Sequence, residues 1–143
     1  MSFTVPMLIL SASLFAQQSV GGPPLPAPVK SALDKAYPGA TISAVTQERE
    51  NNRTLFRVDC RHQGKQRIVL FDAGGAVIEL AEPVEEKELP QPVVAAIHAH
   101  PRAIYVSGLK VTRGGSVEYR LTVRGSRRTA MVARPDGTVV TFE

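Results

Sequence analysis

The chain has one cysteine, no tryptophan and, ahead of Lys30, no charged side chain. A lone cysteine excludes an internal disulfide, and the three histidines do not combine with it at zinc-site spacing. Long apolar runs are also missing. The longest, Val5 to Phe15 (VPMLILSASLF), has 11 residues, well short of the roughly 20 that a membrane helix needs. There is no Gly-x-Ser-x-Gly, no His-Glu-x-x-His and no phosphate-binding loop, so the commonest hydrolase, metalloprotease and nucleotide-binding signatures are absent. The formal charge of +4 is too small to mark a nucleic-acid binder, and no nucleic-acid partner is expected. What is present, 43% hydrophobic and 21% charged residues over 143 positions, is the composition of an ordinary globular chain. A core of that extent holds without metal or disulfide.

The apolar run has the length of a secretory h-region, and small residues follow it at Ala12, Ser13 and Ala16 before the polar Gln17-Gln18-Ser19. Residues 1–16 are therefore expected to be a signal peptide cleaved after Ala16, with Ser11/Ser13 as a second option. The competing reading is a buried N-terminal strand or helix. Export, to the periplasm or beyond the cell, is expected, with no transmembrane segment in the mature chain. Residues 17–24 read as a linker, because Gly21 to Pro28 (GGPPLPAP) cannot hold a helix or a central strand.

Beyond the linker, blocks recur. Leu25-Pro26-Ala27-Pro28-Val29 returns as Leu89-Pro90-Gln91-Pro92-Val93. Phe56-Arg57-Val58-Asp59-Cys60-Arg61 is answered by Tyr119-Arg120-Leu121-Thr122-Val123-Arg124. Gly75-Ala76-Val77 is answered by Gly137-Thr138-Val139. Each series opens with an amphipathic helix: Val29, Ala32, Leu33 and Ala36 in the first, Val93, Ala96 and Ile97 in the second. Prolines stand at the helix start, where a missing N–H costs nothing. Short runs rich in Val, Ile, Thr, Phe and Tyr follow, at about 41–47, 54–61, 66–72 and 76–81, then 103–111, 117–124, 129–134 and 138–142. Turn residues such as Asn51-Asn52, Gln63-Gly64 and Gly114-Gly115 separate them. The expected architecture is α+β: two tandem modules, 25–81 and 89–143, each one helix followed by a four-stranded antiparallel meander with the helix on one face. An acidic linker, 82–88, would join them.

The stretch Leu25 to Ala40, Leu-Pro-x-x-Val-x-x-x-Leu-x-x-x-Tyr-Pro-Gly-Ala, with the later Phe71-Asp72-x-x-Gly75 turn, resembles the PepSY-like group related to the beta-lactamase-inhibitor fold. The resemblance covers nearly all of 25–143 as two copies. The second copy departs from it, with His100-Pro101-Arg102-Ala103 and Arg134-Pro135-Asp136-Gly137 in the corresponding places. The resemblance implies an exported binding or inhibitory module with a helix packed on one sheet face.

Candidates for chemistry are few. Cys60 alternates with Phe56 and Val58 and so points inward, where a thiol behaves as a small hydrophobe; His62 has no identifiable third partner. His98 and His100, two apart on a helix, face opposite ways and cannot chelate one ion. Glu82, Glu85, Glu86 and Glu88 lack the hydrophobic shelter that raises a carboxyl pKa. No enzyme, metal or cofactor is expected.

One pattern remains. If Phe56, Val58 and Cys60 face the helix, Arg57 and Arg61 face away, and Arg120 and Arg124 occupy the answering positions, with Arg127 and Arg128 beside the next strand. Residues 89–143 carry eight Lys or Arg against three Asp or Glu. This face is either a solvated surface kept polar against aggregation or a contact face, for which arginine's planar donor fork is suited. As a contact face it would bind a protein partner in the cell envelope or outside the cell. The alternative is an anionic polymer or membrane surface.

Overall fold

A computed structural model describes residues 22–143. The expected signal peptide, and the linker up to residue 21, lie outside the described residues. The elements run α1 (Ala27–Ala36), β1 (Thr41–Glu50), β2 (Arg53–His62), β3 (Lys65–Asp72), β4 (Val77–Pro83), a 3-10 turn (Glu86–Glu88), α2 (Gln91–His98), β5 (Ile104–Arg113), β6 (Ser116–Arg124), β7 (Arg128–Ala133) and β8 (Val139–Phe142).

Both helices start on proline, as expected from the missing N–H, and each buries an i, i+4 pair: Val29 and Leu33 in α1, Val93 and Ile97 in α2. α1 stops at Pro38-Gly39, with Gly39 at φ 75°. Asn51-Asn52, Gln63-Gly64 and Gly114-Gly115 all have positive φ at both positions, the backbone of a two-residue type I′ loop whose twist matches that of the strands it joins. The turns β3–β4, β6–β7 and β7–β8 are longer, and in the first and last of them an aspartate organises the backbone. Asp72 Oδ1 accepts from the N–H groups of Gly74 and Ala76, and Asp136 Oδ1 from that of Thr138. Each of these two aspartate turns tucks a glycine beneath a helix start: a Cβ on Gly75 would lie 2.5 Å from the Pro28 carbonyl oxygen, and one on Gly137 2.7 Å from that of Pro92.

The expectation of two separate modules is overturned. β4 and β5 pair antiparallel from Glu79↔Arg113 to Pro83↔Leu109, so all eight strands form one antiparallel sheet in the order β1 to β8. The sequence obscures this because the acidic run is part of the sheet. Glu82 and Pro83 close β4, Glu82 pairs with Arg67, and Glu85 and Glu88 cap each other across the 3-10 turn.

Both helices lie on one face of the sheet, each over its own cluster. Val29 and Leu33 pack on Phe56, Val58, Cys60, Val69 and Phe71. Val93 and Ile97 pack on Tyr119, Leu121, Val123, Met131 and Ala133. Each such aliphatic side chain, fully buried, contributes about 1.5–3 kcal/mol. Cys60 is fully buried among them, and burial raises its thiol pKa. No helix among the described residues is long and apolar enough to cross a membrane.

Candidate functional site

The face turned away from the helices carries the expected arginines, but not as free cations. Strand alternation and register place Thr46, Arg57, Leu70, Glu79 and Arg113 in one row across β1 to β5 of this face. At its centre Glu79 is only 3% exposed. Arg120 reaches it across β5 with two nitrogens, at 3.2 and 3.3 Å, the forked geometry that makes Arg–carboxylate pairs strong. Arg113 adds a third donor at 3.5 Å. Arg120 also donates to Glu118 at 2.8 Å, and Arg57 to both oxygens of Glu48.

A further pair fixes the shape of this face. Arg113 donates to Glu50 at 2.6 Å, yet Glu50 ends β1 and Arg113 ends β5, four strands away. In a flat sheet that separation is at least ~19 Å, beyond the reach of the two side chains. The sheet must therefore bow toward this face, which is concave. Leu55, Leu70, Ala81 and Val111 are 0, 4, 2 and 1% exposed on this face, on which neither α1 nor α2 packs.

The electrostatics follow from the geometry. The hydrogen bond from Arg57 holds the Glu48 carboxyl below the usual range, and the same bond raises the Arg57 pKa. Burial works against the charge on Arg120, but its bonds to Glu118 and Glu79 outweigh it and its pKa rises. Four carboxylates, Glu48, Glu50, Glu79 and Glu118, stand against three guanidiniums, Arg57, Arg113 and Arg120, so the centre of the face is not basic. Of the remaining expected contact residues, Arg61 donates to the Gly64 carbonyl at 3.2 Å. Arg124, Arg127 and Arg128 are exposed at one end of the sheet, and among the described residues no carboxylate pairs with them. Glu79, Arg113, Glu48 and Glu50 were not singled out by sequence reasoning. The available signal was Glu79 itself, a carboxylate inside the strand Val77–Pro83 whose neighbours Ile78, Leu80 and Ala81 are apolar.

The other side of the sheet offers little chemistry. His62 packs against Tyr37 with ring centroids 5.5 Å apart, and the Arg67 guanidinium sits 4.9 Å over the Tyr37 ring. Burial raises the Tyr37 pKa, opposed by the Arg67 charge. His98 Nε2 lies 3.9 Å from Glu86, while His100 stacks on Phe142 at 3.9 Å, so the two histidines serve separate contacts. Among the described residues no group of three His, Cys, Asp or Glu side chains could hold a metal.

No family model matches the chain, and no curated protein does. Solved structures do. A DUF2874 family protein from Bacteroides uniformis superposes with a TM-score of 0.67 at 19% identity, over 82% of this chain and 88% of that one. A BLIP-like protein from Bacteroides fragilis gives 0.63 at 21%, over 86% and 88%. A candidate periplasmic protein from Bacteroides eggerthii gives 0.69 at 17%, over 85% and 89%. Likeness of this degree across both chains establishes the fold, and the fold of this chain is BLIP-like.

Proposed function

We propose that the chain is an exported, non-enzymatic binding module that holds a protein partner in the concave face of its sheet. The concave face is the observation that carries this reading. It presents the guanidiniums of Arg57, Arg113 and Arg120, whose orientation is fixed by Glu48, Glu50, Glu79 and Glu118, over an apolar floor that is itself buried. A rigid surface of this kind loses little conformational entropy on binding, and arginine is enriched where partners meet. The BLIP-like neighbour suggests that the partner is an enzyme and that being held inhibits it. Export is supported by the apolar run Val5 to Phe15 and agrees with the periplasmic description of one structural neighbour. A catalytic reading has little to stand on, since the one thiol is sealed in the core.

A photo-crosslinking amino acid tests the reading directly. Ser107 and Ala130 lie on the concave face through their pairing with Thr122, and Ser31 is exposed on α1. In the native cell envelope, positions 107 and 130 should capture one and the same protein that position 31 does not. Identical products from all three positions, or capture from position 31 alone, would refute the assignment of the face.

A further inference from the structure

The arginines that the concave face leaves out point to a second site. Arg124 and Arg128 are direct ladder partners between β6 and β7, so two like charges stand opposite each other, an arrangement that costs stability. Arg127 follows in the same turn, which is closed by the Gly125 N–H donating to the Arg127 carbonyl at 3.0 Å. That turn backs onto the α2–β5 loop: a Cβ on Gly125 would lie 3.4 Å from the Pro101 carbonyl oxygen and 4.0 Å from that of Arg102. Four exposed arginines, 102, 124, 127 and 128, are thus gathered on two touching loops and the strand ends beside them, at one end of the sheet. Among the described residues none of them has a carboxylate partner, whereas Arg57, Arg67, Arg113 and Arg120 each have one. Glu143 lines the same shallow cleft of about 200 Å³ as Arg127, but its backbone is tied to Ala130 and it pairs with none of the four.

An apolar side chain accompanies the charges. Ile104, the ladder partner of Arg124 and so on the same face as Arg124 and Arg128, is 48% exposed. We propose that this corner docks on an anionic phospholipid surface, with the guanidiniums on lipid phosphates and Ile104 entering the headgroup layer. A soluble polyanion would satisfy the arginines but leave Ile104 in water; a bilayer takes up both the charges and the apolar side chain. This goes beyond the proposed partner binding. It involves other residues, at the end of the sheet.

Vesicle co-sedimentation of the full chain is the test. The apolar run Val5–Phe15 contributes equally to every variant and shows as binding to phosphatidylcholine. The site is read as the additional binding to vesicles containing phosphatidylglycerol. That increment should fall about fivefold for each arginine neutralised, so Arg124→Gln with Arg128→Gln should lose most of it, and salt should weaken it. Ile104→Ser should reduce binding without changing the salt dependence. Thermal melts of the same variants should be unchanged or slightly raised, since a like-charge pair is relieved. Arg49→Gln with Arg53→Gln, at the opposite end of the sheet, removes the same charge and should leave binding intact. Equal loss from that control pair, or no loss from Arg124/Arg128, would overturn the proposal. So would soluble polyphosphate binding as tightly as vesicles with Ile104→Ser without effect.

Discussion

Arg113 and Glu50 end strands that lie four places apart in the sheet, and their side chains meet at 2.6 Å. That contact exists only because the sheet curls, and Glu79 at the bottom of the curl depends on the same arginine.

The buried carboxylate makes the arginines of this face unequal. Arg120→Ala should destabilise the chain by about 1–3 kcal/mol, since it removes a forked partner from a buried charge; half-exposure of the guanidinium and the remaining Arg113 place the value toward the lower end. Arg124→Ala should stay within about 0.5 kcal/mol. Urea denaturation of the two variants gives the comparison, and the opposite order would mean that Glu79 does not need its fork.

The Glu48–Arg57 pair should shape the acid limb of stability. The folded pKa of Glu48 is depressed, so its contribution is complete above the ordinary glutamate value of about 4.3. It is lost as pH falls from there through the folded value. Glu48→Gln should therefore flatten the dependence of stability on pH in that window and leave the slope near neutrality unchanged. An unaltered acid limb in the variant would show that the pair contributes nothing.

Cys60 should be inert in the folded chain. It is fully buried and its thiol pKa is raised by that burial, so both access and thiolate population are low. A chromogenic disulfide reagent should label it only on unfolding, at a rate that follows denaturant concentration. Immediate native-state labelling would place the thiol outside the core.

Two glycines should be far less replaceable than a third. Gly75 and Gly137 have φ 88° and back onto helix carbonyls, while Gly64 has φ 74° with open space around it. Gly64→Ala meets only the backbone penalty, about 1–2 kcal/mol. Gly75→Ala and Gly137→Ala add a collision with Pro28 or Pro92, so each should lower the melting temperature further. Equal melting points for all three would show that the helix starts shift freely.

Much of the local structure was legible in the sequence because its causes are local. Val29/Leu33 and Val93/Ile97 mark the helix faces by spacing alone, and Asn51-Asn52, Gln63-Gly64 and Gly114-Gly115 mark hairpins by the φ their residues tolerate. The alternation that put Arg57 and Arg120 opposite Phe56 and Tyr119 is equally local. What could not be read was anything requiring two distant strands. The β4–β5 seam was hidden because Glu82 and Pro83 resemble a linker and are, in the fold, the end of a strand. The neutralisation of Arg120 by Glu79 was hidden because the partners are 41 residues apart, joined only once the seam has formed and the sheet has bowed.

The seam also bears on how the chain assembles. Every strand pairs with its neighbours in sequence, so the sheet can close like a zipper from the first hairpin onward, each step requiring only a short loop except the one from β4 to β5, which runs through α2. Midway along, with β1 to β4 in place and β5 not yet added, β4 is a bare edge, open to any strand that arrives. Glu79, Glu82 and Pro83 are the kind of residues that discourage a foreign strand there. Arg113 and Lys110 on β5 stand opposite Glu79 and Glu82 in the finished ladder, so the charges that repel a stranger also select the rightful next strand.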